Sequence, residues 1–325
     1  MSNQISGAVS GPFIAPLVMR DAFGNERIVI DVAGNLYPQA GYNKSYYVDV
    51  NAGVNTNDGL SWSTPLKTLA PAIVLNNANI ASGAVGWAAR NAIYFKGDNN
   101  EASKETLITL PNKCDVIGVG SYDHKPYPEM IGNHLIGAGA YMGTRFINMG
   151  FRSLAAGGVI MTVPTTTSGL AFIGCHFDGS TAVVATIGLL ATAVEMLSVV
   201  GCTFKGGFST TAIDIGAGES NGLLIRDNII GSAKKGIRVS STMTCSVRQA
   251  YIMNNMFNCA GTVASGIIID DASGKIVIAG NRGRSGGDGK LASTLVSGTG
   301  MAVDNQFSHA AGNSIYPVQV DIVAP

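Results

Sequence analysis

Asp270 and Asp271 stand side by side in "IIIDD", the only consecutive acids in the chain, while Asp214 in "TAIDIG" and Arg238 in "KGIRVS" fall at equivalent points of two similar segments. Two carboxylates roughly 5 to 10 Å apart, one of them holding its proton, are what glycoside hydrolysis requires. Neighbouring residues on a strand face opposite ways, so Asp270 and Asp271 can share a cleft only at a corner. Asp214 and Arg238 could equally form a surface ion pair. A second candidate is the loop "DVNAGVNTND", which offers Asp49, Asn51, Asn55, Asn57 and Asp58 as hard oxygen donors for calcium. It departs from the EF-hand pattern, because Gly53 takes the place of the third ligand and no Glu closes the run, and Asx-rich turns arise for backbone reasons alone. A third is the pair Cys175 in "FIGCHF" and Cys202 in "VVGCTF", which could be a metal site, a disulfide or one structural position visited twice. The five cysteines (Cys114, Cys175, Cys202, Cys245, Cys259) contain no CxxC pair, and the four histidines show no HxxxH spacing.

These residues are positioned by a repeat. Aligned hexapeptides "FINMGF", "FIGCHF", "VVGCTF", "IRDNII", "IMNNMF", "IAGNRG" and "AVDNQF" carry Met149, Cys175, Cys202, Asn228, Asn255, Asn281 and Asn305 at the fourth place. Successive steps are 26, 27, 26, 27, 26 and 24 residues, and two places later an apolar residue follows in six of seven copies, Gly283 being the exception. A second phased segment follows each anchor, with Val159, Ile187, Ile213, Ile237 and Ile267 taken as equivalent. It alternates apolar and variable residues, the period of a strand with one buried face. Its outward column then reads Ile160, Gly188, Asp214, Arg238 and Ile268. A third apolar run leads into the next anchor. Three short strands per period, with Gly- and Asn-rich corners, describe a parallel β-solenoid.

This pattern resembles the right-handed parallel β-helix of the pectin-lyase-like superfamily, whose turns read as an inward apolar residue, Asn, any residue, then Ile or Phe, followed by Gly-Ile-x-Ile. The resemblance covers about residues 45–323. Residues 46–78, from Tyr-Val-Asp through Gly-Leu-Ser-Trp to Thr-Pro-Leu-Lys-Thr, look like the opening segment of many such proteins. There Thr68 can cap a short helix, Pro71 sits in its first turn, and Leu69 with Ile73 can cover the open end of the solenoid. The fold expected is all-β: a right-handed parallel β-helix of about nine coils, roughly 40 Å long at ~4.8 Å per coil, with an N-terminal capping helix and a small N-terminal β arm. Residues 1–44 form the attachment or oligomerisation arm, with a hairpin or meander around "ERIVIDV". Residues 45–325 form the β-helix domain: a capping segment at 46–80, irregular coils at 92–145 and regular coils at 146–325.

Composition narrows the function. Forty-two glycines, 13% charged residues and a balance of 21 Lys plus Arg against 21 Asp plus Glu remove the electrostatic case for a nucleic-acid partner. Residues 182–200 are apolar but contain Glu195 and several Gly and Thr, which reads as buried β-structure rather than a membrane span. The N-terminal stretch has no basic region followed by a long apolar core, so no cleaved secretory signal is expected. Apolar outward residues such as Ile160 and Ile268 suggest surface covered by neighbouring subunits. The resemblance extends to phage tailspikes and tail fibres, usually homotrimers. It implies a non-enzymatic virion protein, located in the particle, attached to other virion proteins through residues 1–44 and facing a host-surface polysaccharide. The alternative it implies is a polysaccharide lyase or hydrolase, for which Asp214, Arg238, Asp270 and Asp271 are the candidate catalytic residues. Met149, Cys175, Cys202, Asn228, Asn255, Asn281 and Asn305 are then a structural ladder. Side chains of adjacent coils run parallel, holding the two Cβ atoms of Cys175 and Cys202 near ~4.8 Å, beyond the ~3.8 Å usual for a disulfide. Reduced buried thiols are expected, with no metal and, calcium in the Asx loop aside, no cofactor.

Overall fold

The computed structural model describes residues 17–20, 26–30, 36–38, 42–82, 89–97, 103–120, 128–153, 156–179, 185–231, 235–240, 242–259, 265–269, 276–285, 292–293, 301–309 and 312–320. Three strands recur along the chain and stack into three ladders, every neighbouring pair within a ladder being parallel. The first ladder includes Arg145–Ile147, Ala171–Ile173, Ser198–Val200, Leu224–Arg226, Ala250–Met253 and Ile276–Ala279. The second follows after one sharp corner, as Gly150–Arg152, His176–Asp178, Thr203–Lys205, Ile229–Gly231, Met256–Cys259 and Arg282–Ser285. The third runs Val159–Val163, Ile187–Ala191, Thr211–Ile215, Lys235–Val239, Ser265–Ile269 and Ala292–Ser293. The protein is a parallel β-solenoid.

Local chemistry explains the corner. The residues before the seven anchors are Asn148, Gly174, Gly201, Asp227, Asn254, Gly280 and Asp304, and all have φ between 53° and 63°. Only Gly, Asn and Asp enter this left-handed region at low cost, so the chain can bend there in one residue and start the second ladder. Gly283 breaks the apolar rule two places after its anchor for a related reason. Its φ is 146°, and a Cβ on it would lie 2.0 Å from the Phe257 carbonyl oxygen.

Six consecutive turns, spanning 145–293, each supply all three strands, so the regular solenoid has about six turns rather than about nine. The difference lies at the N-terminal end. Between Ser45–Asp49 and Asn91–Lys96, which pair directly, the chain inserts helix α1 (Leu69–Ala81) instead of a second and third strand. Between Asn91–Lys96 and Cys114–Val119 only the two-residue strand Ser103–Lys104 belongs to the second ladder. The next turn adds Glu129–Ile131 and the two-residue His134–Leu135. At the other end Met301–His309 continues the first two ladders and pairs antiparallel with Gly312–Val320. Within the N-terminal arm, Leu17–Arg20, Glu26–Ile30 and Leu36–Pro38 form a three-stranded antiparallel sheet.

Helix α1 buries Leu69, Ala72 and Ile73 against the same continuous core that runs through the turns. Its N-terminus departs from expectation. Thr68 is the residue before the first turn, but its side chain caps nothing in the helix; its hydroxyl donates to Asn55 Oδ1 at 3.2 Å. The free N–H groups of Leu69 and Ala70 donate instead to the two carboxylate oxygens of Glu105, at 2.8 and 2.6 Å. A distant carboxylate satisfies both donors and adds a favourable charge at the positive end of the helix. At the other end of α1, Asn76, Asn77 and Asn79 bond to Asn91, to Asn43 and to the 110–112 backbone, tying the helix to the first turns.

Inside, aromatic rings stack from turn to turn. Phe151, Phe177 and Phe204 have centroids 5.2 and 4.6 Å apart, and Phe146 stacks on Phe172 at 5.5 Å. The residues at 187–191 and 198–200 are strands of this solenoid, and no helix among the described residues is long and apolar enough to cross a membrane.

Candidate functional site

The third ladder carries the acid–base pair. Asp214 lies directly beside Arg238 on adjacent strands, in a column that continues to Leu190 and Thr162 on one side and Ile268 on the other. This corrects the outward column inferred above. Ile160 is fully buried in the core, and Val159 pairs with Ile187, which pairs with Thr211 rather than with Ile213. The partners of Ile213 are Met161 and Leu189, two residues beyond the positions the repeat aligns, a shift that strand periodicity cannot detect because it preserves parity. Arg238 Nη1 donates to Asp214 Oδ2 at 3.2 Å; the Asp214 side chain is 5% exposed and that of Arg238 33%. The carboxylate is therefore held low in the surface and neutralised by its neighbour, not presented to a cleft. Asp270 and Asp271 lie outside the described residues.

The seven ladder anchors share one buried line. Each is no more than 1% exposed. In the last four turns the amides form one chain: Asn228 Nδ2 donates to Asn255 Oδ1 at 2.9 Å, Asn255 to Asn281 at 2.9 Å and Asn281 to Asn305 at 2.8 Å. Each Oδ1 also accepts the backbone N–H of the preceding anchor, including that of Cys202. Each Nδ2 has a second acceptor, the carbonyl of the first-ladder residue one turn back, Val199, Ile225, Ile252 and Ile278 in order. Cys175 and Cys202 use the same acceptor position, their sulfurs lying 3.3 and 3.4 Å from the Phe146 and Phe172 carbonyls. Both cysteines are unbridged thiols, as are Cys114, Cys245 and Cys259. Burial, followed by the contact with Cys202, pushes the Cys175 thiol well above its ordinary range. A thiol so unwilling to ionise is a poor nucleophile and a poor metal ligand.

The Asx loop directs its oxygens at its own chain. Asp49 Oδ1 accepts from the Asn51 and Ala52 N–H groups and its Oδ2 meets Lys96 Nζ at 3.0 Å. Asp58 Oδ1 accepts from the Leu60 N–H and the Thr64 hydroxyl, and Asn55 Oδ1 from the Lys67 and Thr68 N–H groups. These bonds hold both carboxyls below the usual carboxylate range; at Asp49 burial works in the opposite direction and is outweighed by the bonds to Ala52, Lys96 and Asn51. Among the described residues, no group of three His, Cys, Asp or Glu side chains is placed to hold a metal ion.

Two charged or titratable sites escaped the sequence reading. Asp115, fully buried on the outer side of the first ladder, accepts from Arg90 Nη1 at 2.7 Å, from Arg145 Nε at 2.7 Å and Nη2, and from the Tyr42 hydroxyl at 2.7 Å. Burial first, and then the Asp115 carboxylate, drive the Tyr42 phenol strongly upward. His134, also fully buried, accepts the Leu107 N–H at Nδ1 (3.1 Å), packs edge-on against Phe151, and has no partner at Nε2 among the described residues. Burial alone depresses it from 6.5 to about 4. Neither pattern is periodic. The one local signal for Asp115 is a charge inside an otherwise apolar strand, "CDVIGV". No family model, curated protein or solved structure matches this chain.

Proposed function

We propose that this chain is a non-enzymatic structural protein of a phage virion, a tail-fibre, tailspike-like or capsid-surface solenoid of the pectin-lyase-like kind. In this reading it assembles as a homotrimer, attaches to other virion proteins through residues 1–44 and presents its turns toward a host-surface polysaccharide. The observation that carries the reading is the locked state of the candidate chemistry: Asp214, the buried acid of the candidate column, is already bonded to Arg238 on the next turn. Chemistry on a glycan needs an acid and a base free to reach the scissile bond. A rod whose charges neutralise one another and whose interior is pinned from turn to turn is suited to presenting surface.

The test combines cleavage with mass. Across a panel of capsular and pectic polysaccharides, reducing-sugar and unsaturated-uronate assays are expected to show no turnover. Cleavage that disappears in Asp214→Ala or Asp270→Ala would defeat the structural reading and establish the lyase or hydrolase instead. Light scattering is expected to give about three times the 33.5 kDa chain mass; a stable monomer would count against a fibre.

A further inference from the structure

One of the three outer faces differs in kind from the others. Outward residues of the second ladder include Arg152, Asp178 and Lys205, and those of the third include Asp214, Arg238 and Lys235. Along the first ladder, one outward row runs Ile147, Ile173, Val200, Arg226, Met253 and Ala279. The row beside it runs Ser198, Leu224, Tyr251 and Val277. That second row begins upstream at Arg145 and Ala171, and the two charges in the rows are both engaged, Arg145 by the buried Asp115 and Arg226 by Asp227 at 2.6 Å. Large exposed apolar side chains continue onto the flank that precedes the first-ladder strands, at Met142 (51%), Met196 (38%) and Val247 (74%), whereas Ile229 (54%) and Met256 (60%) lie across the corner on the second ladder. Between turns, Leu224, Tyr251 and Met253 line an open depression of about 590 Å³ beside Arg248.

The chain covers this same face itself in its first turns. Tyr47 and Tyr94 stack at 5.5 Å, Trp62 lies edge-on to Tyr47 at 4.9 Å, and the two tyrosines are left 2% and 4% exposed. From Ile147 onward no described residue plays the part of Trp62, and Ile173 is 36% exposed. About six strands at ~4.8 Å spacing and ~10 Å width give roughly 300 Å² of sheet face. The flanking Met142, Met196 and Val247 bring that to roughly 600 Å², about three quarters of the ~800 Å² per partner of a standard protein interface and at the top of the range monomers usually leave open. Within the two rows an acidic or nucleic-acid partner finds both guanidiniums, of Arg145 and Arg226, already engaged by carboxylates.

We propose that the first-ladder face between residues 145 and 280 is where copies of this chain meet, solenoid axes side by side, with the depression at Tyr251 receiving an apolar side chain of the neighbouring copy. The inference deepens the self-assembly in the reading above and rests on it. Three measurements decide it. Ile173→Glu and Met253→Glu, each placing a carboxylate in the row, reduce the light-scattering mass from about three chains to one while the far-UV circular dichroism stays that of wild type. Lys205→Glu, on the second ladder, leaves the mass unchanged. Ser198→Cys, a near-isosteric change that adds a surface thiol to five buried ones, gives a cross-linked dimer on a non-reducing gel after mild oxidation, whereas Lys205→Cys does not. If both carboxylate variants keep the wild-type mass, or Lys205→Cys cross-links and Ser198→Cys does not, the face is the wrong one although the chain still self-assembles. If the wild-type chain is monomeric at every concentration, this proposal falls together with the trimer it refines.

Discussion

Replacing Asn255 by Ala removes a group that serves four others. Its Oδ1 accepts both the backbone N–H and the Nδ2 of Asn228, at 3.1 and 2.9 Å, and its Nδ2 donates to the Ile225 carbonyl at 3.1 Å and to Asn281 Oδ1 at 2.9 Å, the last of which keeps the Asn255 backbone N–H as a donor. All lie in the interior, where no water can take over, so the alanine variant would strand two donors and one acceptor. An unsatisfied buried polar group costs roughly 1–3 kcal/mol, and with some relaxation the total is about 3–5 kcal/mol. Asn255→Cys is milder, because the sulfur can donate to the Ile225 carbonyl as Cys202 does to that of Phe172; about half the loss is expected. Asn255→Asp keeps the acceptor but buries a charge, so its defect shrinks as pH falls and the carboxyl takes up a proton. Solenoids need not unfold as one unit, so native-state hydrogen exchange of the amides of residues 228 and 255 is the better readout than a single melting midpoint. Faster exchange by a hundredfold or more is expected in Asn255→Ala, with Asn255→Cys between it and wild type. A loss below about 1 kcal/mol in the alanine variant, or a cysteine variant no better than it, would show that the amide chain does not hold the turns together.

Other perturbations follow from the same geometry. His134 is depressed from 6.5 to about 4 in the folded protein, so the unfolded chain takes up its proton first. Its contribution is complete above pH 6.5 and is lost as pH falls toward about 4, by up to about 3 kcal/mol. Urea unfolding of wild type against His134→Gln between pH 7.5 and 5 should show the steeper decline in wild type, and superimposable profiles would contradict this assignment. Asp115→Asn should cost about 2–3 kcal/mol, less than a fully enclosed pair, because the Arg90 and Arg145 side chains are 27% and 40% exposed and can turn to water. The check is a denaturation midpoint compared with Arg145→Lys, expected to lose less. Glu105→Ala should raise exchange at the Leu69 and Ala70 amides by about tenfold, with a cost near 1 kcal/mol, while Thr68→Ala leaves those two amides unchanged. Gly283→Ala is expected to disorder the last turns and leave 145–239 intact, which limited proteolysis followed by mass spectrometry would reveal.

The solenoid is legible in the sequence because its three determinants are periodic: an anchor every 26 or 27 residues, a left-handed corner restricted to Gly, Asn or Asp, and strand alternation after it. The aromatic stack is legible from the same alignment, since Phe151, Phe177 and Phe204 occupy one place. What escapes is whatever depends on single long-range contacts. Glu105 reaches helix α1 across 35 residues, and nothing at Thr68 itself indicates that its usual capping role is taken by another side chain. Asp115 gathers Tyr42, Arg90 and Arg145 from three strands or loops. Ile160 is misplaced by periodicity because alternation fails at the start of the third-ladder strands, where the second and third residues are both buried. The turn count is overestimated because the apolar runs at 92–145 are counted as coils, whereas the second and third strands there are short or missing among the described residues.

The anchor column also divides the rod into two regimes. Around Met149, Cys175 and Cys202 the interior is filled by Phe146, Phe151, Phe172, Phe177 and Phe204, whose stacked faces leave room for a small sulfur-bearing side chain and need few polar ties. From Asn228 to Asn305 the neighbours are chiefly Ile225, Ile230, Ile252 and Ile278, which pack well against one another but do not select one register over another. There the amide chain performs the selection, since a one-residue slip would set every Nδ2 against hydrocarbon and turn the core rows outward. Register in the interior is also register on the surface. The row from Ile147 to Ala279 stays in register from turn to turn, as do the anchors beside it, held by stacked rings in one half and bonded amides in the other. If copies meet on that face as proposed, Asn255→Ala should therefore weaken the proposed assembly through the distorted face, although Asn255 itself is buried.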